Sequence, residues 1–350
     1  MLECNQSISV IIPIINEEKF ILGTINVILE QFNFKRNFEI LISDGGSTDG
    51  TLKIINNFID NNPNIHLINN PQKIVSTGFN LALNQAKGDI IIRVDGHCEI
   101  PPDYLAKCSN LLKSYDADIV GGVIETISTG LIGKAISIAQ SSPFGVGGVK
   151  FRRMDLDEGS YVDTLAFGAH RRELFTDIGG YDEEMICNQD DEFNHRALQL
   201  GKKIWMDPTI KTKYFARSSF LKLFNQYFNY GLYKVRGIQK RGELVSIRHI
   251  IPSIFIVTLI ITLIIGFFLQ LPLISFSVIS LYLVFNLSAS IYSARSIRVI
   301  PLISLAFWTL HFGYGIGFIW GLIRFFNKWN DTELKDFNFN REQFCANNPK

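Results

Sequence analysis

Residues 39–51 read Glu39-Ile-Leu-Ile-Ser-Asp44-Gly-Gly-Ser-Thr-Asp49-Gly-Thr51. A short β-branched run, Glu39–Ser43, ends in an acid and two glycines, and an amphipathic stretch near 50–60 follows. That order predicts a strand, a tight turn and a helix. Two glycines permit a close turn, Asp44 then stands at the strand end, and Asp49 can cap the helix. Taken alone, Gly-Gly-Ser is an ordinary turn; the full octapeptide 44–51 in this setting points to a ligand.

The same alternation extends outward. Strands are predicted at Ser9–Ile15, Ile65–Asn69, Ile90–Asp95 and Ile119–Val123, with helices near 17–31, 76–87 and 102–114. Strands apolar along their whole length, each followed by a helix, predict an α/β domain with a mostly parallel sheet covered on both faces. Such sheets bind ligands beyond the carboxyl ends of their strands. The polar residues there are Asn16-Glu17, Asp44 to Ser47, and Asp95-Gly-His97. Residues 125–165 are rich in Gly and Ser and read as a loop region, a candidate lid. An apolar run at Val162–Phe167, a helix near 188–200 and a run at Lys203–Met206 complete this part, and no internal repeat is present.

The chain has 350 residues, 47% hydrophobic and 19% charged, with net charge +1. This composition excludes a disordered tail, and the balanced charge predicts no nucleic-acid partner. Cys4, Cys98, Cys108, Cys187 and Cys345 are odd in number and lack a C-x-x-C pair, which argues against a disulfide framework or a zinc ribbon. No signal peptide is read at the N-terminus. A P-loop, a dinucleotide fingerprint and a G-x-S-x-G elbow are absent.

Between 211 and 248 nine Lys or Arg face a single acid, Glu243, with aromatic residues interleaved. A basic aromatic helix of this kind suits an anionic membrane surface. Residues 250–271 then run 22 positions without a charge, and 273–292 and 299–323 form two further apolar runs. Each is long enough to span a bilayer. The third carries Gly313, Gly315 and Gly317, which suit close packing against a neighbour or re-entry. Arg248 before the first run and Arg295 and Arg298 after the second place the N-terminal domain in the cytosol of an inner-membrane, multi-pass protein. A third crossing would put Arg324 and Lys328 outside, against the same rule, so the side of the tail stays open.

Two more clusters can carry chemistry. Arg93-Val-Asp95-Gly-His97 sets a carboxylate and an imidazole within reach of one divalent cation, or is a strand-end turn with an exposed His. Asn188-Gln-Asp190-Asp191-Glu192 opens a helix. Acids there are favoured by the macrodipole, and one of them can instead be a general base.

Taken in order, SVIIPIINEE, ISDGGSTDGT, GDIIIRVDGH, VDTLAFGAHRRELFTDIGGYDEE and NQDDEFNHR resemble the family 2 glycosyltransferases of GT-A fold. Within that family they look most like the membrane-attached succinoglycan (exopolysaccharide) glucosyltransferase type. The likeness covers residues 7–240. It implies inverting transfer from a nucleotide-diphosphate sugar, usually a UDP-sugar, with Mg²⁺ or Mn²⁺. Pro13, Asn16, Glu17 and Asp44 would line the nucleotide pocket. Asp95 and His97 would hold the metal, and Asp190 would be the base. Gln189 stands where the family has a first acid. Gly168 and Arg171 or Arg172 would lie near the acceptor, and Arg236 or Lys234 would neutralise phosphate.

The domains expected are a GT-A domain over 1–210, a basic interfacial region over 211–248, about three spans over 249–325 and a polar tail over 326–350. The apolar runs imply a lipid-linked saccharide as acceptor. A polyprenyl-phosphate sugar synthase, a polymer-conducting synthase and an inactive sugar-nucleotide sensor are the alternative readings.

Overall fold

A computed structural model describes residues 6–31, 38–244 and 246–348. In chain order the elements are β1 (Ile8–Ile14), α1 (Ile21–Gln31), β2 (Phe38–Asp44), α2 (Thr51–Ile59), β3 (Ile65–Asn69), α3 (Val75–Leu83), β4 (Ile90–Arg93), β5 (Cys98–Glu99), α4 (Tyr104–Ser114) and β6 (Ile119–Ile127). Then come α5 (Gly130–Ser141), α6 (Pro143–Val146), β7 (Ser160–Tyr161), β8 (Gly168–Arg171), α7 (Arg172–Ile178), α8 (Gln189–Gln199) and β9 (Ile204–Phe215). The rest is helical: α9 (Phe220–Arg241), α10 (Ile251–Phe268), α11 (Pro272–Ser293), α12 (Ile300–Arg324) and α13 (Arg341–Ala346). Cys98, Cys108, Cys187 and Cys345 are unbridged; Cys4 lies outside the described residues.

Contacts divide the chain into two units. The first holds the sheet and comprises the chain up to Glu125, Met154–Tyr214 and the tail from Leu334. The second comprises Thr126–Arg153 and Phe215–Glu333. The boundary expected at 210 thus falls at 214, because β9 runs on through the first residues of the basic region. The tail groups with the sheet rather than with the long apolar helices.

The strand order in the sheet is β3-β2-β1-β4-β8-β6-β9-β5, with β7 on β9. β3, β2, β1 and β4 are parallel, as their apolar runs predict. β8 is antiparallel to β4 and β6, so the sheet is mixed. The apolar run at Val162–Phe167 is not the strand; Phe167 (φ 67°) turns the chain and β8 begins at Gly168. Alternation places Val10, Ile12, Ile40, Ile42, Ile90 and Ile92 in one core, while Ile11, Leu41 and Ile91 are buried on the other face. Pro13 is tolerated inside β1 because β4 is paired only as far as Ile11 and Arg93. Its missing N–H falls past the last ladder bond on that side, from Val94 N to Ile11 O at 3.0 Å.

The tail docks by specific contacts within the first unit. Lys335 O accepts from Glu183 N at 2.7 Å, and Asn338 Nδ2 donates to Glu183 Oε2 at 2.8 Å. Asn340 caps α13 through Gln343 N at 3.0 Å. Phe344 is fully buried with the Arg172 guanidinium 3.7 Å from its ring centroid. Phe344→Ala is therefore expected to cost about 3–5 kcal/mol, read as a lowered thermal midpoint of the detergent-solubilised protein. A midpoint equal to wild type would mean that the tail is not docked.

In the second unit the expected loop region contains α5, whose Ala135, Ile136 and Ala139 pack with Leu223 and Tyr227 of α9 and with Ile303, Phe307 and Leu310 of α12. Its glycines and serines hid that helix. The basic helix is α9, capped by Ser219 (accepting from Lys222 N at 3.3 Å) and closed at Gly242 with φ 71°. α12 lies along α9 in parallel: Cβ atoms at Gly313, Gly317 and Gly321 would meet the carbonyls of Phe224, Phe228 and Leu232 in turn.

Candidate active site

Three loops meet at the carboxyl ends of β1, β2 and β4. After β1, Asn16 adopts a left-handed backbone (φ 56°). Its amide donates to Ser47 Oγ at 2.8 Å, and its Oδ1 accepts from Thr48 N at 2.8 Å. After β2, Asp44 organises its own turn, accepting from Gly46 N at 2.9 Å and from Ser47 Oγ at 2.5 Å. Gly46 takes φ 81°, a conformation that only glycine adopts without strain. Just before α2, Asp49 accepts from Thr51 Oγ1 at 2.5 Å and from Thr51 N at 3.0 Å, and chiefly the Thr51 hydroxyl holds its carboxyl below the usual carboxylate range. Glu17 N donates to Thr51 Oγ1 at 2.8 Å. The loops after β1 and β2 are thus one hydrogen-bonded piece.

The loop after β4 joins them. His97 Nδ1 lies 2.7 Å from Glu17 Oε1. A Cβ at Gly96 would sit 2.7 Å from Ile14 and 3.0 Å from Glu17, so this turn requires glycine for the approach. Lys73, after β3, lies over Gly46.

Arg93 ends β4 and is the centre of the site. Its guanidinium is 3% exposed and touches Asp95 Oδ1 at 2.9 Å through Nη2 and at 3.0 Å through Nε. Its Nη1 pairs with Asp190 Oδ1 at the start of α8. Phe167 and Tyr181 flank it, each ring centroid 5.8 Å away. The two carboxylates are 18% and 20% exposed, so they are reachable where the cation is not. Burial raises the Asp190 carboxyl above the ordinary carboxylate range; Arg93 opposes this and Asp95 adds to it. The two acids hold the Arg93 charge in place against burial.

Asn188, in a left-handed turn (φ 62°), starts α8 so that Asp190 falls in its first turn. Gln189 is buried and its Oε1 has no hydrogen-bond partner. Glu192 is paired with Arg196 at 2.6 Å and serves the fold.

The structure therefore gathers Pro13, Asn16, Glu17, Asp44, Asp95, His97 and Asp190 in the first unit. It corrects two expectations. Arg171 pairs in register with Ile90, at the other end of β4 from Asp95, and bonds the Ala117 carbonyl at 2.8 Å. Arg172 bonds the carbonyls of Ala86 and Gly88, at 2.9 and 3.1 Å. Both thus sit at the end of β4 away from Asp95, whereas Gly168, opposite Arg93, is at the rim end. Arg236, expected to neutralise phosphate, belongs to the second unit. There it is fully buried and holds Asp331 Oδ2 at 3.2 Å and Asp331 O at 2.9 Å. Its guanidinium serves the helical unit, so it is left out of the binding residues proposed below. Asp44 spends both carboxylate oxygens on its own turn, so its first task is to shape the loop.

Arg93 and Tyr181 were not singled out from the sequence. The signal was an arginine closing an otherwise apolar strand, which requires buried partners. As to a cation, no group of three or more His, Cys, Asp or Glu able to hold a metal exists among the described residues. Arg93 contacts Oδ1 of Asp95 and leaves Oδ2. One carboxylate and one imidazole, completed by a substrate diphosphate, is a donor set that Mg²⁺ or Mn²⁺ accepts. The residues fit.

The chain has relatives in sequence and in fold among known proteins. Residues 9–176 match glycosyl transferase family 2. The chain is 31% identical over 245 residues to succinoglycan biosynthesis protein ExoA of Rhizobium meliloti, covering 69% of this chain and 73% of that one. It is 29% identical, over 91% of this chain and 97% of the other, to a dolichyl N-acetyl-glucosaminyl phosphate diacetamido-dideoxy-glucuronosyltransferase of Methanococcus voltae. The fold is similar to that of the mannosyltransferase PcManGT from Pyrobaculum calidifontis, solved with GDP-Man and Mn²⁺. The TM-score is 0.55 at 17% identity, over 91% of this chain and 88% of the other. The mixed sheet with its acids at the strand ends is the GT-A fold, and the chain belongs to glycosyl transferase family 2 and is a glycosyltransferase.

Proposed function

We propose that this enzyme moves a sugar, with inversion, from a UDP-sugar to a lipid-linked saccharide at the cytosolic face of a membrane, in the synthesis of an exopolysaccharide or another surface glycan. The observation that carries the reading is the pairing of Asp95 and Asp190 through one buried arginine. That pairing sets a candidate phosphate-side acid beside a candidate base. The relatedness to ExoA and to a dolichyl-linked transferase supports the glycan pathway and the lipid acceptor.

Asn16, Glu17 and the Asp44 loop, joined by hydrogen bonds, present a preformed surface to the nucleoside. Asp95 and His97 would hold a divalent cation, which when bound supplies positive charge beside the diphosphate. Asp190 accepts the proton of the acceptor hydroxyl. The acceptor oxygen bonds the anomeric carbon from the face opposite the nucleotide, and the bond to phosphate breaks with its electron pair leaving on the nucleoside diphosphate. The raised Asp190 carboxyl suits it to this task, since a stronger base takes the proton more readily.

The test is a donor screen on detergent-purified protein, scored by nucleotide release. Release is expected with a UDP-sugar plus a lipid-linked saccharide. A chelator should abolish it, and Mn²⁺ or Mg²⁺ should restore it. Full turnover in chelator would remove the metal from Asp95 and His97, and absence of acceptor-dependent release with every donor would overturn the reading.

A further inference from the structure

Among the described residues three helices are long and apolar enough to cross a membrane: α10, α11 and the stretch Ile297–Arg324 that contains α12. The chain leaves the sheet unit after Tyr214 and rejoins it at Leu334. A segment that begins and ends on one side of a bilayer crosses it an even number of times. The return is a built contact, with Phe344 buried on Arg172 and Asn338 bonded to the Glu183 carboxylate. Moving the tail across the bilayer would undo both.

We propose that only α10 and α11 cross, as a helical hairpin in a lipid bilayer. α12 then lies outside the hydrocarbon beside α9, and the tail returns to the catalytic side. This rests on the membrane attachment proposed above.

Three independent observations select which helices cross. First, α10 and α11 have 18 and 22 residues, about 27 and 33 Å of helix, and they are joined by three uncharged residues. They pack on each other, with Ser275 Oγ donating to Thr262 O at 2.7 Å. Second, α10 buries only Ser253, Ile256 and Gly266 and α11 only Ser275, Asn286 and Ser290, whereas α12 buries nine residues, so α10 and α11 are the helices that need lipid to cover them. Third, α12 is bound lengthwise to α9, which carries Lys222, Lys234, Arg236, Lys240 and Arg241. A crossing α12 would carry this basic helix into hydrocarbon, where each such charge costs about 2.5–3.5 kcal/mol or more. α12 instead touches α10 near its start, with Gly315 against Pro252 and Phe312 edge-on to Phe255. It meets α11 through Asn286, which donates to Ser304 O at 3.2 Å. Its exposed Leu305, Trp320 and Ile323 suit the headgroup boundary. The charge conflict of a three-span reading also vanishes: Arg248, Arg295, Arg298, Arg324 and Lys328 all fall on the catalytic side.

Cys345 is native and exposed, and so reports the tail without a substitution. Full-length protein in sealed, oriented vesicles is treated with a membrane-impermeant maleimide, and the labelled peptides are read by mass spectrometry. Glu158→Cys marks the catalytic side and Leu269→Cys the hairpin tip, both at exposed positions. Cys345 is expected to label from the same side as position 158, and position 269 from the opposite side only. Labelling of Cys345 from the side opposite 158 would restore three crossings and overturn the proposal. Labelling of 269 from the side of 158 would also overturn it, by showing that the hairpin does not cross. Protein released by alkaline wash would sink the membrane attachment itself and the hairpin with it, an outcome separate from either labelling result.

Discussion

Replacing Asp190 by Asn is expected to lower sugar transfer by about 10²–10⁴-fold while donor binding stays near wild type. Asn keeps an oxygen for Arg93 but removes the carboxylate's charge and its ability to take a proton, so the loss should fall mainly on kcat rather than on KM. The wild-type enzyme carries a second signature. Its base must be ionised, and burial raises the Asp190 carboxyl. The acid limb of kcat should therefore lie at higher pH than an ordinary carboxylate would give, with activity falling as pH drops through it. In Asp190→Asn that limb should disappear from the residual rate. Wild-type turnover in the variant would remove Asp190 from the role. Retained activity on a polyprenyl phosphate alone would favour the synthase reading, because a phosphate nucleophile arrives already ionised and needs no base.

Arg93→Met should damage both stability and chemistry. Removing the shared cation leaves Asp95 and Asp190 facing each other with no positive charge between them, and breaking a buried pair of this kind costs about 3–5 kcal/mol. Arg93 acts here as a positioning residue, and the pH profile separates that role from simple scaffolding. Without the guanidinium the Asp190 carboxyl should rise further, since Arg93 is what opposes burial and the Asp95 charge. The acid limb should then move to still higher pH. Arg93→Lys should recover part of the fold and less of the rate, because one ammonium cannot reproduce contacts made through Nε, Nη1 and Nη2. An Arg93→Met protein that folds and keeps the wild-type pH profile would show that the arginine does not tune the base.

The parallel half of the sheet was legible because its strands are apolar along their whole length and end in acids or glycine. β8 was not, since its sequence is the short polar Gly-Ala-His-Arg and its place is set by pairing with β4. α5 was hidden by its glycines and serines and by its dependence on α9 and α12 for a core. Asp95, His97 and Asp190 were visible as candidates for chemistry. Arg93 was not, because a strand-end arginine acquires meaning only when two carboxylates about one hundred positions apart are brought to it. Arg171, Arg172 and Arg236 illustrate the opposite error. A cation near a motif in sequence points to substrate only if the fold has not already spent it on carbonyls or an acid, and here it has.

The sequence by itself determined the alternation of strand and helix, the acids at the strand ends and the three lipid-length helices, because each is a local pattern of side-chain size, polarity and period. The tertiary structure alone decided which charges remain for chemistry and which of those helices is bound lengthwise to α9. Both depend on contacts between distant segments: Arg93 with Asp190, Phe344 with Arg172, and the close approach of α12 to α9. No local pattern encodes which partner a buried group will find.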